Sequence, residues 1–124
     1  MSEPVRPLEL WCAGEEWCSI TATARLVGKK WHPVIVHRLL ENGPLGFNAI
    51  KEEVDGISSK VLSDSLEDLE EKRLVNREIV NEKPVRVEYS LTQIGESLQP
   101  VITAMRDWGT EYLTPAEDRD SAIA

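Results

Sequence analysis

The chain has 124 residues, 41% hydrophobic and 29% charged, with a formal charge of −8 at neutral pH. That size and balance describe one globular domain with a single core, and they exclude a fibre, a disordered tail or a second sizeable domain. The acidic excess opposes binding to a phosphate backbone, but it sits at the ends: residues 1–17 carry net −3 and residues 92–124 net −4, leaving 18–91 at −1.

Taken in chain order, Ile20, Ala24 and Val27 repeat at helical spacing, and Gly28 ends that segment. From Trp31 to Leu40 there are two apolar stripes, Trp31-Ile35-Leu39 and Val36-Leu40, so this helix is covered on more than one side. Pro33 fits its first turn, and Asn42-Gly43-Pro44 stops it. Phe47, Ile50 and Val54 mark a short helix, followed by an Asp55-Gly56 turn. Ser58 or Ser59 then caps a longer helix, reaching about Arg73, whose apolar positions include Leu62, Leu66 and Leu69.

After Leu74 the period changes. Val85, Val87, Tyr89 and Leu91 alternate with polar residues, which is the pattern of a half-buried strand. Leu74 to Val80 is its antiparallel partner, with Asn81-Glu82-Lys83-Pro84 as the hairpin tip. Thr92 caps a last helix with apolar positions Ile94, Leu98, Val101, Ile102, Met105, Trp108 and Tyr112, and Pro100 predicts a kink or break within it. The expected fold is mainly α with a small β-hairpin, a winged helix-turn-helix with an added C-terminal helix.

In that layout the helix starting at Ser58 leads with Ser59, Lys60, Ser63 and Asp64. Hydroxyls and an ammonium near a helix N-terminus suit phosphate or base-edge contacts. Lys83 and Arg86 lie at or beside the wing tip. Opposing this, Asp64, Glu67, Asp68, Glu70 and Glu71 share the helix, and such a run also suits a merely solvated face.

The chain resembles the HxlR-type winged-helix transcriptional regulators, which share their shape with the MarR group. The resemblance spans roughly residues 18 to 113. It rests on Cys18, Gly28-Lys29-Lys30-Trp31, Gly43-Pro44-Leu45-Gly46-Phe47, Gly56-Ile57-Ser58-Ser59-Lys60-Val61-Leu62-Ser63 and Leu66-Glu67-Asp68-Leu69-Glu70. It continues through Leu74-Val75, Pro84 to Thr92, Gly95, Leu98, Pro100-Val101 and Trp108-Gly109. The division it implies is an arm at 1–17, a domain at 18–113 with a wing at about 74–91 and a dimerisation helix at about 92–113, and a tail at 114–124.

The resemblance also implies a homodimer joined through the first and last helices and a two-fold site on double-stranded DNA. By position, Ser59, Lys60 and Ser63 fall on the base-and-phosphate surface, and Lys83 and Arg86 on the wing contacts. Asp64 departs from the family's polar or basic habit, and Gly46 stands where a basic residue often precedes the aromatic. The stripe from Ile94 to Tyr112 is longer than one small domain would cover, which fits an interface. Cys18 matches a cysteine that senses electrophiles or oxidants in some members. A helix start favours its thiolate, while Glu15 and Glu16 oppose it, and a free cysteine also serves as a small buried hydrophobe.

Other chemistry finds no support. His32 and His37 are five apart and cannot share an ion as an i, i+4 pair would, and no Cys-x-x-Cys, phosphate loop or nucleophile motif occurs. No metal, cofactor or catalytic residue is expected. Two cysteines make no disulfide framework, no run approaches the roughly 20 apolar residues of a membrane span, and the first residues lack a secretory pattern. The expectation is therefore a cytoplasmic, prokaryotic, DNA-binding regulator, non-enzymatic and homodimeric. Its alternatives are a winged-helix interaction module without DNA binding, a redox-sensing repressor acting through Cys18, and a repressor with a small-molecule effector between dimer helices.

Overall fold

The structure, a computed structural model, describes residues 18–115. The expected arm at 1–17, with Cys12, Glu15 and Glu16, and the tail beyond residue 115 lie outside the described residues. The elements are α1 (Ser19–Val27), α2 (His32–Asn42), β1 (Leu45–Gly46), α3 (Phe47–Glu53), α4 (Ser59–Glu71), β2 (Val75–Glu82), β3 (Val85–Leu91), α5 (Gln93–Glu96) and α6 (Gln99–Tyr112). The fold is a winged helix, mainly α with a three-stranded antiparallel sheet ordered β1-β3-β2.

The core forms where the apolar faces of the short helices meet. Ile35, Val36 and Leu39 of α2 pack with Ile50 of α3, with Val54 and Ile57 of the turn, and with Leu62, Leu66 and Leu69 of α4. Leu74 and Val75 close the sheet end, and Leu98 and Ile102 close the C-terminal end. Each fully buried leucine or isoleucine contributes roughly 1.5–3 kcal/mol. The turn between α3 and α4 needs Gly56, whose φ of +85° is left-handed. Ser58 is the cap of α4: its Oγ accepts from the Val61 N–H at 3.1 Å.

Several boundaries differ from the expected ones. Trp31 is the residue before α2, not its first turn, and Val54 lies just past α3, although both side chains still pack on the core. α4 stops at Glu71 because Arg73 turns left-handed, with φ 63°, and lets the Leu74 N–H reach back to the Leu69 carbonyl. β2 runs on to Glu82, so the tip tightens to Lys83-Pro84. β1, which two residues are too few to signal, pairs Leu45 with Tyr89 and Gly46 with Glu88 along the other edge of β3.

The wing leaves the core quickly. In β2 only Val75 is buried, and Ile79, Val80 and Val85 are exposed. A register shift between Ile79 and Asn81 leaves Val80 as the extra residue. The alternation expected of β3 is not seen in its burial: Val85 and Arg86 are exposed at the outer end, and every residue from Val87 to Leu91 is half-buried, since β1 and α5 pack near that inner part.

The last helix is two pieces. α5 is capped by Thr92, whose Oγ1 accepts from the Gly95 N–H at 2.9 Å and donates to the Arg73 carbonyl at 2.7 Å. α6 begins at Gln99 with Pro100 in its first turn, so the expected break falls just ahead of the proline. The Ile94–Tyr112 stripe divides along its length. Leu98 and Ile102 are buried in the protomer's own core, and Ile94 and Val101 pack against it. The domain therefore covers four of the seven positions of the stripe that was expected to need a partner, as far as Ile102, and the division falls within α6 itself. Met105, Trp108 and Tyr112 stay exposed.

Gly95 sits where α5 crosses the chain between α4 and β2, and a Cβ there would overlap the Leu74 carbonyl. Gly95→Ala should lower stability by about 1–3 kcal/mol, measured by urea unfolding. An unchanged midpoint would show that α5 shifts freely.

Candidate nucleic-acid interface

α4 has one buried and one solvent-facing side. With Leu62, Ser65, Leu66 and Leu69 turned inward, helical geometry leaves Ser59, Lys60, Ser63 and Asp64 outside on the first two turns, and all four are exposed. Lys60 Nζ donates to Asp64 Oδ2 at 2.9 Å, with the two side chains 84% and 63% exposed. That hydrogen bond, together with the Asp64 charge, raises the Lys60 pKa above its usual value. The leading turns thus present two hydroxyls and one ion pair. Ser58, as the cap, uses its oxygen to hold the helix start.

Lys83 and Arg86 stand exposed at and beside the wing tip. The Lys83 N–H donates to Asn81 Oδ1 at 3.3 Å, which fixes the backbone of the tip. Arg86 also borders an open cleft of about 550 Å³ between α3 and β3, across from Phe47 and Asn48. Asn48 is exposed on the first turn of α3 and escaped notice in the sequence, where nothing but its distance from Arg86 in space distinguishes it.

Behind this face lies a charge cluster that the sequence did not reveal. Asp68 of α4 accepts from His32 Nε2 at 2.7 Å and from Lys72 Nζ at 2.9 Å, with Lys29 Nζ at 3.6 Å. Lys72 Nζ also donates to the Arg25 carbonyl at 3.4 Å. One carboxylate therefore joins α4 to the start of α2 and, through Lys72, to the end of α1. His32 is 3% exposed and its Nδ1 is buried without a partner among the described residues; because the Asp68 carboxylate only accepts, Nε2 is the donor in their contact. Partial burial works to raise the Asp68 pKa. The His32 and Lys72 hydrogen bonds and the Lys72 and Lys29 charges outweigh it and hold the carboxyl at about 2. His37 lies 3.5 Å from Glu41 on its own helix, so the two histidines serve separate carboxylates.

Cys18 is exposed at the start of α1, not buried as a small hydrophobe would be. The Thr21 amide and hydroxyl and the Ile20 amide favour its thiolate and lower its pKa. The opposing effect expected of Glu15 and Glu16 falls outside the described residues. On α6 the Trp108 and Tyr112 rings lie 5.4 Å apart and, with Met105 and Leu113, form an exposed apolar patch. Among the described residues no helix is long and apolar enough to cross a membrane.

A short helix, a glycine turn, a capped helix with its outer face free and a two-stranded wing define a winged helix-turn-helix protein. The chain belongs to the HxlR-like helix-turn-helix family, which it matches over residues 26–117. It is 38% identical over 92 residues to the HTH-type transcriptional regulator YodB of Bacillus subtilis strain 168, covering 74% of this chain and 81% of YodB. The structure of reduced YodB aligns with a TM-score of 0.66 at 36% identity, covering 82% of this chain and 100% of that one. The oxidised form of the redox regulator HypR aligns with a TM-score of 0.73 at 30% identity, covering 79% and 100%.

The Asp68 cluster predicts an acid limb in stability. Because the folded pKa of about 2 lies below the ordinary 3.8, the stabilisation is complete above about pH 4 and is lost as the pH falls towards 2. With the side chain 29% exposed, solvent screening holds it to about 1–2 kcal/mol. Urea unfolding at stepped pH should show Asp68→Asn less stable by that amount at neutral pH and flatter below pH 4. Parallel curves for the two proteins would contradict the cluster.

Proposed function

We propose that the chain is a non-enzymatic, cytoplasmic, prokaryotic transcriptional regulator that binds double-stranded DNA as a homodimer. The observation that carries this reading is the solvent face of α4, with Ser59, Lys60, Ser63 and Asp64 exposed on its leading turns beside a projecting wing. In the mechanism, those turns enter a major groove, and Ser58, Ser59, Lys60 and Ser63 meet phosphates and base edges. Lys83 and Arg86 reach the flanking backbone or minor groove. The working domain is 18–113, with an arm before it and a tail from 114.

The dimer contact rests on Met105, Trp108 and Tyr112 of α6 with the exposed Ile20 of α1. These side chains are apolar, adjacent or on terminal helices, and exposed among the described residues. A two-fold partner would set two α4 helices on half-sites roughly 34 Å apart, giving a near-palindromic operator.

A second reading, control of DNA binding by oxidants or electrophiles at Cys18, is favoured by the thiol's exposure and lowered pKa. Solved relatives include diamide-treated and quinone-bound YodB and oxidised HypR. Diamide should then weaken or tighten DNA binding by the native chain but not by Cys18→Ser.

Fluorescence anisotropy with the duplex upstream of the protein's own gene, run from low to high salt, tests the main reading. Lys60→Ala and Arg86→Ala should each weaken binding and lower the salt slope by about 1. Absent binding to this duplex and a scrambled one at every salt would favour a winged-helix interaction module without DNA binding, and equal binding to both would overturn sequence-specific regulation.

A further inference from the structure

We propose that Asp64 is a specificity-determining residue that selects cytosine in the major groove and holds Lys60 away from DNA lacking it; this rests on α4 being the DNA-reading helix. Lys60 and Asp64 are the second and sixth residues of α4, one turn apart on its outer face, and their side chains meet at 2.9 Å. Both are largely exposed, so solvent screens the pair and it does little for folding. Its consequence lies in what the helix presents. Without Asp64, the leading turns would offer an ammonium and hydroxyls, a surface attractive to any phosphate. With it, they are neutral.

The chemistry of the groove then decides what opens the pair. A carboxylate only accepts hydrogen bonds, and phosphates, the guanine O6 and N7 and the thymine O4 only accept as well. Against these edges Asp64 loses water without gaining a donor, and it keeps Lys60 beside it. The cytosine N4 amino group is a donor, and acidic side chains accept from it. The adenine N6 amino group also donates, but its N7 acceptor adjoins it and repels a carboxylate, where an amide side chain pairs with both. At a site with a correctly placed cytosine, Asp64 exchanges Lys60 for the base, and Lys60 is released to a phosphate or a guanine. Elsewhere the exchange is incomplete, and the acidic residue acts as a penalty against the wrong partner.

Glu67, Glu70 and Glu71 continue the acidic exposed side farther along α4, away from the leading turns. They repel DNA of any sequence alike. Asp64 is the acidic residue on those two leading turns, so it alone among the α4 acids is placed to discriminate between bases.

Selection from a random duplex library with the full chain and with Asp64→Asn tests this. The native chain should enrich a two-fold motif with one strongly preferred cytosine per half-site. Asp64→Asn should lose that preference about tenfold or shift it to adenine, keep the remaining motif positions, and bind a scrambled duplex several-fold more tightly. Circular dichroism of the variant checks that it folds. An unchanged motif with uniformly tighter binding would overturn the inference, since Asp64 would then only repel phosphate. If the native chain enriches no motif, the DNA-binding reading falls and this inference with it.

Discussion

The arrangement depends on α4 burying one face and no other. Leu62, Leu66 and Leu69 recur at four and three residues and are almost completely buried against α2 and α3. Rotating α4 by one residue position, roughly 100°, would expose these leucines and bury charged groups without partners. The core therefore sets which side chains face outward. Ser59, Lys60, Ser63 and Asp64 occupy the outer face because the other face is committed to packing. Which side chains α4 can offer to a partner is thus a consequence of a hydrophobic constraint.

The second constraint is electrostatic. Asp68 stands two turns into the same helix and is the shared acceptor for His32 and Lys72, with Lys29 nearby. Its donors and charged neighbours come from the α1–α2 connection, from α2 and from the residue that ends α4, and Lys72 also grips the last turn of α1. α1 buries no residue of its own, so these polar ties and the partial packing of Leu26 and Val27 fix its direction. α1 also carries Cys18 at its start. The helix proposed to meet DNA and the helix that starts at Cys18 are thus tied through Lys72, which Asp68 holds in place.

Most of the fold could be read from the sequence because its signals are local. The stripe Leu62-Leu66-Leu69, the Ser58 cap, the Gly56 turn, the alternation through Leu91 and the Pro100 break each depend on near neighbours. What escaped reading depends on distant ones. β1 exists only because β3 offers it an edge, and His32–Asp68 joins residues 36 apart in the chain. The stripe on the last helix misled because periodicity records apolar positions and not what covers them: Leu98 and Ile102 face the protomer's own core, while Trp108 and Tyr112 do not. At the site, Asp64 beside Lys60 was visible from the i, i+4 spacing, whereas Asn48 opposite Arg86 needed the fold.

On the proposed reading, the outer face of α4 and the wing tip meet DNA. It is tested most directly by following backbone amide signals of the isotope-labelled full chain as the duplex upstream of its own gene is added. The largest shifts are expected at residues 58–64 and 83–86, with the α4 residues that face the core moving little. Shifts confined to α6, or an unchanged spectrum at low salt, would contradict it.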